Sequence, residues 1–179
     1  MGAEAVLPTP KPPAIFGVTS DAENVVMALW PSMAATWWGR LLGRLYDCIP
    51  LKINGVKLSN LLFTLPTIPI TLAGYLLMKL FGERYVLTNR SIARWSSLTP
   101  RLIAQMPLGE IASIEIVRRP GQAFYHAADL ELLDRAGNRL LVLAGVPRAD
   151  VFRQTILKAR DARAHVESSL ATINARHAT

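Results

Sequence analysis

Residues 58–81 read LSNLLFTLPTIPITLAGYLLMKLF, and this run decides how the chain is organised. Its only ionisable residue is Lys79, close enough to the end to lift its ammonium toward water along an apolar stem. As a helix rising about 1.5 Å per residue the run extends ~36 Å, against a bilayer hydrocarbon core of ~30 Å. A core helix of a water-soluble domain rarely stays apolar for so long, so the stretch is expected to be a membrane segment. Pro66 and Pro69 complicate it, because each removes a backbone donor and crowds the preceding turn. Two geometries follow: a proline-kinked span, with freed carbonyls covered by Thr64, Thr67 or a neighbouring helix, or a re-entrant hairpin turning at Pro66–Pro69. Basic residues flank both ends, Arg40, Arg44, Lys52 and Lys57 before and Lys79, Arg84, Arg90 and Arg94 after, so charge does not set an orientation. The kinked span is favoured narrowly, since an unpaired turn deep in lipid is costly.

Working outward, Pro31 to Asp47 is expected to form an amphipathic helix over about 31–47. Ser32, Thr36, Arg40, Arg44 and Asp47 recur on one stripe, and Met33, Trp37, Trp38, Leu41, Leu42, Leu45 and Tyr46 fill the rest. Tryptophans on one side and arginines on the other suit the bilayer interface, while packing on a protein surface is the competing reading. Ile49 to Lys57, with Pro50, Asn54 and Gly55, reads as a loop. Cys48 reads as a small apolar filler, with palmitoylation a remote alternative. Residues 1–24 carry Pro8, Pro10, Pro12 and Pro13 and no apolar signal core, so a flexible proline-rich tail is expected there.

The net charge of +7 falls mainly after the apolar run: six basic and four acidic residues precede Glu83, and fourteen and nine follow from there. The basic residues form no aromatic-interleaved stripe, so nucleic acid is not an expected partner. With a single cysteine no intrachain disulfide can form.

After Glu83 the period shortens to that of strands. Tyr85–Thr88, Ser91–Ser97, Arg101–Met106, Ala112–Val117, a segment through Phe124 and Tyr125, Leu130–Leu133 and Arg139–Ala144 are expected strands, separated by turn signals that include Asp134–Asn138. Such spacing indicates an antiparallel sandwich or barrel. A helix over about 148–175 closes the chain, with an apolar face of Val151, Phe152, Thr155, Ile156 and Ala159 and a charged end beyond Arg160 that projects or frays.

The stretches ERYVLTNRSI at 83–92, MPLGEIASI at 106–114 and Gly145-Val146-Pro147 before Val151-Phe152 carry a resemblance. Together they resemble the bacterial pleckstrin-homology-like (PH-like) domains of membrane-anchored proteins, and Trp30-Pro31-Ser32 is similar to the opening of their membrane region. The sequence departs from that pattern around Tyr125-His126-Ala127-Ala128, where a glycine often precedes the fifth strand, and in having one firm apolar segment instead of a close pair. The resemblance implies an α+β chain of three parts: a tail over 1–24, a membrane-associated region over 25–82, and a PH-like domain over 83–179. That domain would be a seven-stranded bent sheet plugged by its terminal helix, on the cytoplasmic side of the inner membrane. It also implies no enzymatic activity and no cofactor, and related domains occur in photosynthetic complex assembly proteins.

The residues themselves offer no phosphate-cradling glycine loop, nucleophile elbow, paired zinc-spaced histidines or CxxC, so no catalytic, cofactor or metal residue is expected and no small-molecule substrate. Asp129 and Glu131 read as a solvated strand face. The expected membrane anchor is Trp37, Trp38, Leu41, Leu45, Leu61, Leu62, Phe63, Pro66, Pro69, Leu72, Tyr75, Leu76 and Leu77. Candidate headgroup or partner contacts are Arg40, Arg44, Arg84, Arg90, Arg94, Arg118 and Arg119, each juxtamembrane arginine being worth about 1 kcal/mol near an anionic surface. Two roles follow: an accessory, scaffold or assembly subunit among membrane-protein partners, or a module binding anionic lipid headgroups or a peptide.

Overall fold

The computed structural model describes residues 23–49, 52–53 and 56–177. The chain runs β1 (Val25–Leu29), a 3-10 turn (Met33–Ala35), α1 (Trp37–Asp47), β2 (Lys52–Ile53), β3 (Val56–Lys57) and α2 (Leu58–Phe81). It continues through β4 (Glu83–Thr88), β5 (Ser91–Ser96), β6 (Leu102–Pro107), β7 (Ser113–Val117), β8 (Ala127–Leu133), β9 (Arg139–Pro147) and α3 (Ala149–His177). Four strands form an antiparallel sheet in the order β1-β4-β5-β6, three form a second in the order β7-β8-β9, and β2-β3 is a minimal hairpin. The architecture is α+β, and neither large sheet is closed into a barrel.

The edge strand β1 revises the expected domain boundary. Leu29 lies opposite Tyr85 and Ala28 opposite Val86, so residues assigned from sequence to a membrane region complete the first sheet. Glu23 and Asn24, expected in the tail, are also fixed: the Glu23 carboxylate accepts from Thr88 and Ser91 hydroxyls, both at 2.7 Å, and Asn24 N–H donates to Asn89 Oδ1. The helical segment is therefore an insertion between two hydrogen-bonded strands of one sheet. The rest of the proline-rich tail, with Pro50, Asn54 and Gly55 of the expected loop, lies outside the described residues.

Two local expectations fail for identifiable reasons. The helix starts at Trp37 and not at Pro31, because Ser32 and Thr36 are caps and not members of a stripe. The Ser32 hydroxyl accepts from Ala34 N–H, and the Thr36 hydroxyl accepts from Gly39 N–H at 3.1 Å. The segment through Phe124 and Tyr125 is a 3-10 turn, with β8 beginning only at Ala127. That turn ends on His126, whose φ of 49° is left-handed, at the place where the resemblance leads one to expect a glycine.

The core lies between the two sheets and under α3. Leu29, Tyr85, Leu87 and Ile92 of the first sheet share one buried cluster with Leu130, Leu132, Leu143 and Val146 of the second and with Phe152 and Ile156, one helical turn apart on α3. Each such side chain contributes about 1.5–3 kcal/mol by leaving water. Val151, expected on the apolar face of α3, is exposed. Beyond Arg163 the helix continues to His177 with nearly every described side chain in solvent, as the charged sequence there requires.

The Tyr85 hydroxyl donates to Ala144 O at 3.0 Å, linking the sheets, and burial pushes its pKa to about 12. An acid whose pKa rises on folding stabilises the fold below its unfolded value near 10 and loses that contribution as pH climbs toward 12. Unfolding free energy should therefore fall by on the order of 2–3 kcal/mol across this alkaline window. Denaturant titrations from pH 8 to 12 check it, and the slope should flatten in Tyr85→Phe.

Candidate functional site

The insertion α1–α2 leaves the body at one end of the first sheet and is held there by backbone approach. A Cβ on Gly43 would lie 2.0 Å from Gly121 O, and one on Gly121 (φ 88°) would lie 2.1 Å from Arg40 O. The helix thus rests on the β7–β8 loop with no side chain between them. Tyr46 reinforces the contact, its ring packing tilted against Phe124 with centroids 4.6 Å apart and its hydroxyl bonding Thr67 Oγ1 of α2 at 2.6 Å.

The loop that receives α1 is fixed by Asp129 of β8. This carboxylate is 1% exposed and accepts from Arg119 Nε (2.7 Å), Gln122 Nε2 (2.6 Å) and Gly145 N–H (2.8 Å). Gln122, itself fully buried, accepts from Arg119 N–H through its side-chain oxygen. Gly145 O in turn accepts from Ser32 N–H at 2.8 Å, and a Cβ on Gly145 would meet Ala35. One buried carboxylate therefore positions both the approach to α1 and the loop beneath it. The solvated face expected for Asp129 and Glu131 is not what forms: Asp129 is the centre of this network, and Glu131 is buried and paired with Arg139 at 3.3 Å. Period-two alternation cannot separate the two faces of a strand covered on both sides.

α2 is one continuous helix through Pro66 and Pro69, so the chain does not turn back there as a re-entrant hairpin would. Hydroxyls supply bonds around the prolines: Thr67 Oγ1 donates to Phe63 O at 2.6 Å and Thr71 Oγ1 to Ile68 O at 2.9 Å. The expected span is not found either, since among the described residues no helix is long and apolar enough to cross a membrane.

What does stand out is exposure. Trp37, Trp38, Leu41, Leu62, Leu72, Tyr75, Leu76 and Leu77 are exposed, as are Pro66 and Pro69. Leu45 and Phe63 are half-buried, and the Leu61 side chain lies outside the described residues. Trp37 and Trp38 stack on each other with centroids 4.1 Å apart. Sequence reading left out Ile68, Ile70, Leu80 and Phe81, all exposed, although they belong to the same run. Between α1 and α2 opens an apolar groove of about 960 Å³, lined by Met33, Trp38, Leu42, Ile70, Leu77 and Phe81 among others. Cys48, expected as a filler, is exposed at the end of α1.

The candidate arginines do not gather into one site. Arg40 and Arg44 lie on α1. Arg84 is at the α2 end of the β4–β5 hairpin, whereas Arg90 is in its far turn, six residues on and so about 20 Å away along a strand. Arg94 forms an ion pair with Glu83 at 3.2 Å, Arg118 with Asp150 at 3.3 Å, and Arg119 serves Asp129. Among the described residues no group of three or more histidine, cysteine or acidic side chains could hold a metal ion. No protein-family model matches the sequence, and no curated protein matches it.

Asp129→Asn should cost about 3 kcal/mol in chemical denaturation, the low end for breaking a buried pair because Arg119 keeps access to water. Arg118→Ala should change stability by less than about 0.5 kcal/mol, its pair being exposed on both sides. Gly43→Ala should destabilise by about 1–3 kcal/mol through overpacking, and by freeing α1 should increase protease cutting within residues 37–47.

Proposed function

We propose that this chain is a non-catalytic, membrane-attached scaffold or assembly subunit, held at the bilayer by α1 and α2. Its α+β body lies on the cytoplasmic face of the inner membrane, and its partners are lipid and membrane-protein subunits. One observation carries the reading: most described side chains of α2 are apolar and exposed, with the tryptophan face of α1 beside them. An apolar surface this continuous is unfavourable in water and marks a membrane or protein contact. The proposal does not require α2 to cross the bilayer; a helix pair buried to its arginines at the interface satisfies the same chemistry.

The PH-like resemblance is supported by the four-plus-three strand arrangement and the closing helix. The subunit role is preferred to headgroup binding because Arg94, Arg118 and Arg119 are engaged with carboxylates of the chain itself. The small residues Gly39 and Gly43 are used internally against Met33 O and Gly121 O, whereas Ala73 of α2 remains exposed.

The full chain should stay with membranes through an alkaline carbonate wash. Its tryptophan fluorescence should be quenched by brominated acyl chains, and the quenching should fall sharply in a Trp37→Phe, Trp38→Phe variant. A chain recovered in the supernatant and unquenched would sink the membrane reading. Purification in mild detergent as a monomer with no accompanying protein would sink the subunit role.

A further inference from the structure

In the antiparallel order β1-β4-β5-β6, four chain segments meet at one end of the sheet: the end of β1, the start of β4, the end of β5 and the start of β6. The first two lead into and out of the helical insertion. The last two are joined by the loop Ser97–Arg101, fastened to the exit of α2 by Ser97 N–H donating to Gly82 O at 2.8 Å. The β5–β6 loop is thereby fixed beside the end of α2.

The side chains of this loop and of the first two residues of β6 are unusual for a solvent-facing surface. Leu98 is 59% exposed, and Leu102 and Ile103 are about as open as each other at 40% and 41%. Leu80 and Phe81, the last residues of α2, are exposed at the same end. Arg101 is exposed within the loop, and Arg84 lies opposite Trp95, itself opposite Leu102, on one sheet face. Ser96, Thr99 and Arg101 border a shallow depression of about 390 Å³. Apolar tips interleaved with arginine and hydroxyl groups, next to an apolar helix end, are what a bilayer interface takes: leucines enter the acyl boundary while guanidinium groups meet phosphates.

We propose that the β5–β6 loop, with the start of β6, is a second membrane contact, inserting Leu98, Leu102 and Ile103 into the phospholipid interface and setting Arg84 and Arg101 against anionic lipid phosphates. The occupant is lipid because the patch continues the apolar surface of α2 and carries positive charge with no exposed carboxylate in the loop. The inference rests on the membrane attachment proposed above and deepens it, since two contacts fix the tilt of the body where the helices alone would leave it free.

The test uses the full chain with Cys48→Ser and Leu98→Cys, an environment-sensitive fluorophore on residue 98, and vesicles of phosphatidylcholine with phosphatidylglycerol. The expected result is a blue-shifted emission quenched by spin-labelled lipid, and weaker quenching after Arg101→Glu. Water-like emission from residue 98, with Trp37 and Trp38 still quenched by brominated lipid, overturns the loop contact and leaves the helical attachment standing. Blue-shifted emission that spin-labelled lipid does not quench also overturns it, in favour of a protein against the loop. If neither probe senses lipid, the membrane attachment itself fails, and the loop contact with it.

Discussion

The buried carboxylate of Asp129 is the constraint on which the geometry of this protein depends. An ionised group out of water is tolerable only when its acceptor sites are filled, and here a guanidinium, a side-chain amide and a backbone N–H fill them. Each donor belongs to a different piece of the machinery. Arg119 and Gln122 hold the loop on which α1 rests, and Gly145 holds the turn that leads into it. A hydrophobic residue at this position could fill the space but could not specify the loop, since only directional bonds set its path.

That precision serves a helical insertion which the other described residues scarcely cover. α1 meets the body through Gly43 against Gly121 and through Tyr46 against Phe124, and α2 is tied to α1 by the Tyr46–Thr67 bond. Beyond these anchors most of the apolar surface of the helices is open among the described residues. An arm fixed closely at its base, with its apolar length exposed, suits the membrane contact proposed above. The position of the insertion matters equally: both of its ends join neighbouring strands of one sheet, so any load on the helices passes into β1 and β4 and their ladder.

Much of the strand order was legible because turn chemistry is local. Asp134 accepts from the N–H groups of Ala136 and Asn138 and Gly137 takes a φ of 83°, so the β8–β9 turn follows from four residues. The misreadings share a different cause. Ser32 and Thr36 fall at helical spacing with Arg40, and nothing in periodicity distinguishes a cap from a face. β1 was folded into the apolar region because Val25–Leu29 resembles its neighbours in composition, and its partner lies some sixty residues on. Asp129 gave no signal, since its three donors come from positions seven to sixteen residues distant and only tertiary contact assembles them.

The sequence by itself determined that the chain has an apolar helical part and an antiparallel body with a terminal helix, because hydropathy and period are properties of short windows. It also determined the continuity of the apolar run, whose leucines and isoleucines leave no polar face. Tertiary structure decided where that run is attached, which arginines are spent on internal carboxylates, and which acidic group is buried. Those outcomes depend on pairings between distant residues, and the free energy of a pairing is not written in either partner alone.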